Sequence, residues 1–287
     1  MKNYKFFDCI TFFDENFLTN LRFEILNNVV DYFIICESNY DHSGNKKKIN
    51  FKLNNDKFKN KVRHIIIEEN FPNLKNLWET EKYQREKIFD GIKDADENDY
   101  ILYSDSDEIP NPALLKDFNL KKNFGIFLQN FYVYKLNIFN NYETPWEGSR
   151  ICRKKNLKSF NYLRKKILKK NIKKPFWKIN VEKNIQLFEN GGWHFNNLYS
   201  PELISKKLKA FPHHEYSSDR FSNIENIKLK IQKMEDLFER GHKYKKVEID
   251  NSYPAFLFKN LDKFKDYIVW QNFNKSFFDK LTFIRFK

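Results

Sequence analysis

The sequence contains few cysteines, few glycines and prolines, and no long apolar run. Its three cysteines, Cys9, Cys36 and Cys152, are far apart and form no Cys-x-x-Cys pair, which excludes a disulfide framework and indicates a reducing compartment. Seven glycines and eight prolines in 287 residues argue against a repetitive or disordered chain. No stretch approaches the roughly 18–20 apolar residues of a membrane span, and the N-terminus lacks a signal-peptide core. We therefore expect a cytoplasmic protein, soluble or peripherally attached to the inner face of a membrane.

Apolar residues and positive charge, in contrast, are abundant. Hydrophobic residues make up 41% of the chain and include 31 phenylalanines, which suffices for one large α/β domain or for a domain with a helical appendage. The formal net charge of +14 suits anionic partners such as nucleotide phosphates, acidic glycans, nucleic acid or a membrane surface. A general preference for lysine would also account for much of this charge, so its location is more informative than its sign.

Apolar runs and helical periodicities alternate along the first hundred residues. Runs typical of buried strands occur at residues 4–13, 29–36, 62–67 and 100–103. Helical patterns lie between the first two runs, up to Leu26, and between the last two, at residues 76–92. This order predicts an α/β fold with a mostly parallel central sheet and flanking crossover helices. Residues 145–148, Pro-Trp-Glu-Gly, are predicted to form a turn. Helical patterns at residues 201–211 and 224–240 predict a helical C-terminal region.

The fourth apolar run ends in a cluster of carboxylates. Asp105, Asp107 and Glu108 follow it directly, and Pro110 prevents a central strand from continuing. Ligands of open α/β sheets bind beyond the carboxyl ends of the strands, and acidic groups spaced two residues apart suit a divalent cation that carries phosphates. The alternative is an acidic loop that caps the next helix.

The same Asp-x-Asp pattern occurs once more nearby and serves as an internal comparison. Asp94-Ala95-Asp96 lies before the strand, in a polar loop that continues with three further polar residues. The pattern alone therefore carries little weight. Its position at the end of a strand makes the copy at Asp105 and Asp107 the candidate site.

Polar residues also interrupt two other apolar patterns. Glu81 and Arg85 share the apolar face of the predicted helix at residues 76–92, where they form either a partly buried ion pair or a ligand-binding pair. His194 follows Gly191-Gly192 closely. A lone histidine is usually a hydrogen-bonded core residue, but adjacent glycines indicate special backbone angles or a close approach of another group.

The most basic part of the chain is residues 153–178. It contains twelve lysines or arginines, no acidic residue, and interleaved apolar residues. A basic amphipathic segment of this kind can lie on an anionic membrane or bind an acidic acceptor. An exposed lysine-rich linker between strands is the equally simple interpretation.

Taken in order, the motifs resemble glycosyltransferase family 17, the family of β-1,4-mannosyl-glycoprotein N-acetylglucosaminyltransferase. The resemblance extends over about residues 4–270 and is carried by the following segments: 8–13, 22–26, 30–33, 37–39 with 43–46, 78–79, 83–85, 104–110, 190–195, 200–215 and 253–260. Each motif is weak alone, whereas their order and spacing together are specific.

The resemblance implies a GT-A-like nucleotide-diphospho-sugar transferase fold and an inverting, metal-dependent transfer to a glycan hydroxyl. By family analogy the donor is UDP-N-acetylglucosamine, and the acceptor is a glycan or glycolipid. It implies one domain over residues 1–270, with a donor-binding half at about 1–112 and an acceptor-binding, metal-completing half at about 113–270. Residues 271–287 form a tail.

Roles for the metal-site residues follow from the resemblance. We assign Asp107 as a direct ligand of Mn²⁺ or Mg²⁺, Asp105 as a contact to the ribose or to a water on the metal, and His194 as a further ligand. Glu108 is expected to support this site or to face the sugar.

The donor pocket and the catalytic base are assigned in the same way. Arg85 is expected to bind a phosphate or the nucleotide. The uridine pocket is expected at the ends of the first two strands, at Phe13-Asp14 and Glu37-Ser38. Inversion needs a base that deprotonates the acceptor hydroxyl. The sequence offers Glu147, His214, Glu215 and Asp219 for this role, and we favour Glu215, with Glu147 second.

Two other functions remain open at this point. A sugar nucleotidyltransferase would usually need a glycine-rich phosphate loop near the N-terminus, where this chain has Phe13-Asp14-Glu15. A nucleic-acid-binding protein is suggested by the net charge and by the basic segment at residues 153–178, but no recognised DNA- or RNA-binding motif supports it. We expect no nucleic-acid partner.

Overall fold

The computed structural model describes residues 3–72, 76–210 and 218–270. Its first half is a parallel sheet, in the spatial order β3-β2-β1-β4. The strands are β1 (Phe6–Phe12), β2 (Tyr32–Ser38), β3 (Val62–Ile67) and β4 (Tyr100–Ser104). Almost all side chains of β1, β2 and β4 are buried, as expected for parallel strands that are covered by helices on both faces.

Two helices make the crossovers of this parallel half. Helix α1 (Asn16–Leu26) connects β1 to β2, and α2 (Leu77–Lys87) lies between β3 and β4 and continues as a 3-10 turn, Ile88–Gly91. The two helices cover opposite faces, because alternate residues of β1 belong to different hydrophobic clusters. Phe6 and Ile10 pack in one cluster with α1, and Phe7 and Cys9 pack in the other with Ile88.

The second half of the sheet is mixed. Its strands are β5 (Glu108–Pro110), β6 (Phe124–Val133), β7 (Ile138–Phe139), β8 (Trp146–Arg153), β9 (Ile185–Phe188), β10 (Gly192–Asn196) and β11 (Lys245–Lys246). Strand β8 is inserted between β4 and β6 and is antiparallel to both. The long strand β6 pairs in parallel with β9 and then with β10, and β10 pairs antiparallel with β5.

The remaining helices belong mainly to the C-terminal region. They are α3 (Phe160–Lys166), α4 (Pro201–Ala210), α5 (Asp219–Ser222), α6 (Ile224–Lys233) and α7 (Ala255–Lys259), followed by a 3-10 segment, Leu261–Tyr267. The predicted α/β class, with a central sheet flanked by helices, is confirmed. The predicted tail, residues 271–287, lies outside the described residues.

Two local predictions are wrong. The helical pattern at residues 224–240 ends at Lys233, because Met234 takes a left-handed conformation with φ 54° that stops the helix. Residues 145–148 had the composition of a turn, but Trp146 and Glu147 begin β8 and pair with β6. In both places long-range pairing or a single backbone angle overrides the local pattern.

The division of the chain near residue 112 stays a prediction. The larger hydrophobic cluster contains residues from both sides of it, for example Phe6 and Phe195. Among the described residues, no helix is long and apolar enough to cross a membrane.

Candidate active site at the carboxyl edge of the sheet

The acidic loop, residues 105–107, connects β4 to β5 at the carboxyl edge of the parallel strands. This edge is where the strand order reverses around β1, because β2 lies on one side of β1 and β4 on the other. Crevices at such a point are the usual ligand sites of open α/β sheets. The structure therefore places the predicted carboxylates at the location that the strand pattern indicated.

A buried charge network fixes the ends of this loop. Arg22 of α1 is fully buried and donates hydrogen bonds to both carboxylate oxygens of Asp8, to Ser104 Oγ and to the backbone carbonyl of Glu108. Ser104 Oγ in turn lies 2.7 Å from Ser149 Oγ of β8. A buried arginine is tolerated only when it is paired and hydrogen-bonded in this way, so Arg22 holds β1, β4 and β5 in one arrangement.

Asp107 and His194 are neighbours at this edge of the sheet. Pairing of β10 with β5 sets His194 opposite Glu108, and His194 Nε2 lies 3.4 Å from Asp107 Oδ1. The imidazole is held by the rings of Phe131 and Trp146, with centroid distances of 4.2 and 4.9 Å. Burial raises the pKa of Asp107, but the charge and hydrogen bond of His194 outweigh this effect and lower it to about 2. Asp107 is therefore an anion throughout the physiological range.

This pair fits one divalent cation. Two ligand atoms that are each about 2.1 Å from an ion, in perpendicular directions, lie about 3 Å apart, close to the observed 3.4 Å. Among the described residues, the buried His194 Nδ1 has no hydrogen-bond partner. An imidazole nitrogen and a carboxylate oxygen form a donor set that Mn²⁺ accepts. Within residues 3–72, 76–210 and 218–270, no third histidine, cysteine or carboxylate joins the pair in a ready-made metal cluster.

Asp105 and Glu108 share a cation that the sequence analysis did not identify. Arg164 of α3 pairs with Asp105 and lies 3.0 Å from Glu108 Oε1. Glu108 is fully buried and also accepts the indole N–H of Trp146 at 2.8 Å. Burial raises the pKa of Asp105, but the positive charges of Arg164 and Arg85 outweigh it and hold that pKa below its usual range. Glu108 thus supports the site from inside the protein.

A signal for Arg164 was present in the basic segment. Phe160, Leu163 and Ile167 are all fully buried, and this spacing defines an apolar helix face on which a residue four positions after Phe160 also lies. Arg164 occupies that position. The prediction of either a membrane-binding segment or a solvated linker treated all twelve basic residues alike, although this one points into the site.

The loop after β1 lines two neighbouring cavities. Phe13 and Asp14 line a small pocket together with Tyr199, Leu203 and two lysines of α4, Lys206 and Lys207. Burial raises the pKa of Asp14, and the charge of Lys206 partly offsets this effect. Beside Asp14 and Tyr199 opens a larger cleft of about 640 Å³, which extends to α6 and to the end of the 3-10 segment at Tyr267.

Comparison with known proteins assigns the family. The family model of glycosyltransferase family 17 matches residues 1–265. The chain belongs to glycosyltransferase family 17. No curated protein sequence matches this family 17 chain.

Solved structures resemble the family 17 chain only distantly. Glucosyl-3-phosphoglycerate synthase from Mycobacterium tuberculosis, in complex with Mn²⁺, UDP-glucose and phosphoglyceric acid, is 10% identical, with 89% of this chain and 92% of that chain covered and a TM-score of 0.36. The same enzyme with Mn²⁺, UDP and phosphoglyceric acid gives 10% identity, coverage of 73% and 80%, and a TM-score of 0.34. Likenesses this weak carry no argument about the site.

The predicted uridine-pocket residues of β2, Glu37 and Ser38, form hydrogen bonds within the family 17 chain. Glu37 is fully buried and accepts hydrogen bonds from Lys47 Nζ at 2.8 Å, from the backbone of Asn50 at 2.7 Å, and from His64 Nε2 at 3.1 Å. Burial raises the pKa of Glu37, but these hydrogen bonds lower it overall. Ser38 Oγ accepts the N–H of Tyr40. Both side chains shape the loop that follows β2.

Arg85 is almost completely buried beneath the acidic loop. It forms the predicted ion pair with Glu81 and donates to Tyr103 Oη and to Asn161 Oδ1, each at 3.1 Å. Tyr103 Oη is 3.4 Å from Asp105 Oδ1. Arg85 therefore acts on Asp105 in two ways, through its hydrogen bond to Tyr103 and through its positive charge.

Of the two favoured candidates for the catalytic base, the structure describes Glu147 but not Glu215. Glu147 lies at the start of β8, is about one-third exposed, and accepts the backbone N–H of Lys169 at 2.9 Å. Its backbone neighbour, the carbonyl of Gly148, is 3.4 Å from Arg164. Glu215 and His214 lie outside the described residues, and Asp219 begins α5.

Proposed function

We propose that this family 17 glycosyltransferase is an inverting enzyme that uses a divalent cation to transfer a sugar from a nucleotide-diphosphate donor to a glycan hydroxyl. The observation that carries the proposal is the approach of Asp107 and His194 at the sheet edge, with a 3.4 Å separation between Oδ1 and Nε2. Family membership supports the transfer reaction. The nature of the ligand atoms supports the metal.

Asp107 and His194 are the residues that would hold the ion, and Asp105 would contact the ribose or a water on the metal. A divalent cation such as Mn²⁺ or Mg²⁺ would supply positive charge to the departing diphosphate. Asp107 remains ionised because its pKa is about 2, so protons do not compete with the metal for it near neutral pH. The contacts of the His194 ring with Phe131 and Trp146 orient the imidazole before any ligand arrives.

The donor would lie between this pair and the loop after β1. Phe13 and Asp14 supply one wall for the nucleoside, and Arg164 adds a buried positive charge near Asp105. By family analogy we take the donor to be UDP-N-acetylglucosamine. Glu37, Ser38 and Arg85 would act indirectly, since their hydrogen bonds hold the surrounding loops.

The acceptor would enter from the cleft of about 640 Å³ that opens beside Asp14 and Tyr199. Aromatic side chains from several elements line this cleft, and rings of this type pack well against the apolar faces of sugars. In a single displacement the acceptor oxygen bonds to the sugar C1 while the bond from C1 to the diphosphate breaks, and a base accepts the acceptor proton. Glu215 and Glu147 remain our candidates for that base.

Two substitutions in the site test this function, and a substitution in the second Asp-x-Asp motif serves as their control. Asp107→Asn and His194→Gln should each lower the release of UDP from UDP-N-acetylglucosamine by about 100-fold or more, since removal of one electrostatic contact to a transition state costs factors of this size. Calorimetric titration with Mn²⁺ should detect weaker binding in both variants. The matched control is Asp96→Asn in the exposed Asp94-Ala95-Asp96 loop, which should leave both properties unchanged.

Different results would reject different parts of the proposal. Full turnover of the Asp107→Asn variant, or full turnover of the wild type in excess EDTA, would reject the metal site. Turnover of a different UDP-sugar in a screen of donors would replace N-acetylglucosamine while leaving the site assignment intact. No release of nucleotide from any sugar donor, with or without glycan acceptors, would reject glycosyl transfer at this site.

A further inference from the structure

The most exposed large apolar side chains in the described part of the chain are adjacent to one another. Phe176 is 85% exposed, Ile179 86% and Trp177 66%. They follow Pro175 in the loop between α3 and β9, and the rings of Phe176 and Trp177 contact each other edge to face at 5.1 Å. Soluble proteins scatter single apolar residues over their surfaces, whereas a contiguous exposed group marks an interaction site.

Hydrogen bonds within the loop hold its backbone in a defined conformation. The N–H of Lys178 donates to the carbonyl of Pro175 at 3.1 Å, and the N–H of Ile179 donates to the carbonyl of Trp177 at 3.0 Å. Lys183 Nζ closes the base of the loop by donating to the carbonyls of Phe176 and Lys178, at 3.1 and 2.9 Å. These hydrogen bonds satisfy part of the loop backbone internally, which lowers the cost of moving its exposed apolar side chains into a less polar medium.

Positive charge surrounds the apolar tip. Residues 169–183 contain six lysines and a single acidic residue, Glu182. Lysines next to exposed aromatic residues match the two layers of an anionic bilayer surface, where phosphate groups attract the ammonium groups and the interface accommodates tryptophan and phenylalanine. A protein partner of ordinary composition would not require a predominantly positive rim, so charge complementarity favours the lipid surface.

The loop is also attached to the active site. The backbone N–H of Lys169 donates to Glu147 Oε2 at 2.9 Å, and the carbonyl of Ile167 accepts a hydrogen bond from Arg150 of β8. Three residues before Ile167, Arg164 holds Asp105. A surface bound at residues 175–181 is therefore connected to the acidic loop by a short, hydrogen-bonded stretch of chain.

We propose that residues 172–183 are a docking loop for an anionic membrane surface. Phe176, Trp177 and Ile179 insert into the lipid interface, and the surrounding lysines contact lipid phosphates. Docking positions the catalytic edge close to the membrane, where an acceptor linked to a lipid would be found. The binding itself does not depend on the proposed glycosyl transfer and is measured without a donor.

Vesicle sedimentation tests the docking. The full chain, at about 0.15 M salt, should bind vesicles of phosphatidylcholine with about 30 mol% phosphatidylglycerol and should bind pure phosphatidylcholine vesicles at least about tenfold more weakly. The triple substitution Phe176→Ser, Trp177→Ser, Ile179→Ser should weaken binding to the anionic vesicles about tenfold or more. A matched triple substitution of exposed apolar residues on α6 and α7 should leave binding unchanged: Ile224→Ser, Leu229→Ser and Phe258→Ser. Equal circular dichroism and thermal unfolding confirm that both triple variants are folded.

Tryptophan fluorescence reports insertion directly. Lipids brominated near the headgroup should quench the emission of the wild-type protein and of Trp78→Phe, but should quench Trp177→Phe much less.

Several results would overturn the proposal. These are no binding to anionic vesicles, binding that the loop substitutions do not weaken, equal binding to both types of vesicle, and quenching that survives in Trp177→Phe. Self-association that the loop substitutions abolish, without vesicle binding, would assign the surface to a second copy of the chain instead.

Discussion

The buried contact of Arg164 with the acidic loop gives the most direct test of the site. Its guanidinium lies between Asp105 and Glu108, with Nη2 3.0 Å from Glu108 Oε1 and Nη1 3.3 Å from Glu108 Oε2. The arginine side chain is 11% exposed and the glutamate is completely buried. The substitution Arg164→Met keeps an unbranched side chain of similar helix propensity while it removes the charge.

The expected loss of stability follows from what remains around Glu108. Removal of one partner from a buried ion pair costs about 3–5 kcal/mol, because the other charge is left without compensation. Glu108 keeps two donors in the variant, the indole of Trp146 at 2.8 Å and the backbone N–H of Asp105 at 3.2 Å. The Asp105 side chain is 36% exposed and adds little. We therefore expect the lower end of the range, about 3 kcal/mol.

The neighbouring residue on the same helix provides the control. Lys165 is 42% exposed and its ammonium lies 3.7 Å from Glu81 Oε2, so Lys165→Met should cost less than about 1 kcal/mol. Urea unfolding followed by circular dichroism measures both free energies of unfolding, with equal slopes as the condition for comparing them. In a chain of this size, about 3 kcal/mol corresponds to a decrease of roughly 6 °C in the melting temperature.

The reasoning would be refuted by an Arg164→Met variant that unfolds within about 1 kcal/mol of the wild type. Such a result would mean that Arg164 does not compensate a buried charge on Glu108. An equal loss in Lys165→Met would also refute it, because the effect would then belong to the helix and not to the ion pair.

Two further predictions concern other parts of the chain. The pKa of Asp236 is raised by burial but lowered overall to about 2 by hydrogen bonds from Arg240 and Tyr244. Asp236→Asn should therefore lower the free energy of unfolding by about 2 kcal/mol at pH 7. The difference should disappear as the pH falls from about 4 towards 2, because the stabilisation by a carboxylate with a depressed folded-state pKa is complete above its unfolded pKa and is lost as the pH falls through its folded pKa. Urea titrations at pH 7 and pH 3 measure this, and a difference that persists unchanged at pH 3 would contradict it. Gly192 has φ +129°, and a Cβ there would overlap the carbonyl oxygen of Ile109, whereas a Cβ on Gly241, at φ +80°, would meet open space. Gly192→Ala should lower the free energy of unfolding by more than about 2 kcal/mol and displace His194. Gly241→Ala should lower it by only about 1 kcal/mol. Similar losses in the two glycine variants would reject the close approach of β10 to β5.

Local sequence patterns were sufficient for much of the parallel half. Residues 62–67 were predicted as a strand with the observed bounds of β3, and the other three runs were placed within a few residues. Strands β1, β2 and β4 are buried on both faces, so a continuous apolar run there has no other way to avoid water, whereas β3 at the edge of the sheet is only partly buried. The position of the carboxylates after β4 was predictable from the same strand pattern, because the carboxyl end of a parallel strand defines the edge where ligands bind.

The sequence by itself thus determined the α/β class, the order of the elements in the parallel half and the edge that carries Asp105 and Asp107. Only the tertiary structure decided which distant residues meet there. His194 comes within 3.4 Å of Asp107 because β10 pairs with β5 in one register. Arg164 is one of twelve basic residues in its segment, and it reaches Asp105 because α3 packs its apolar face against the sheet. Both contacts depend on pairing and packing between segments far apart in the chain, and short-range hydrophobic patterns carry no information about the register of such contacts.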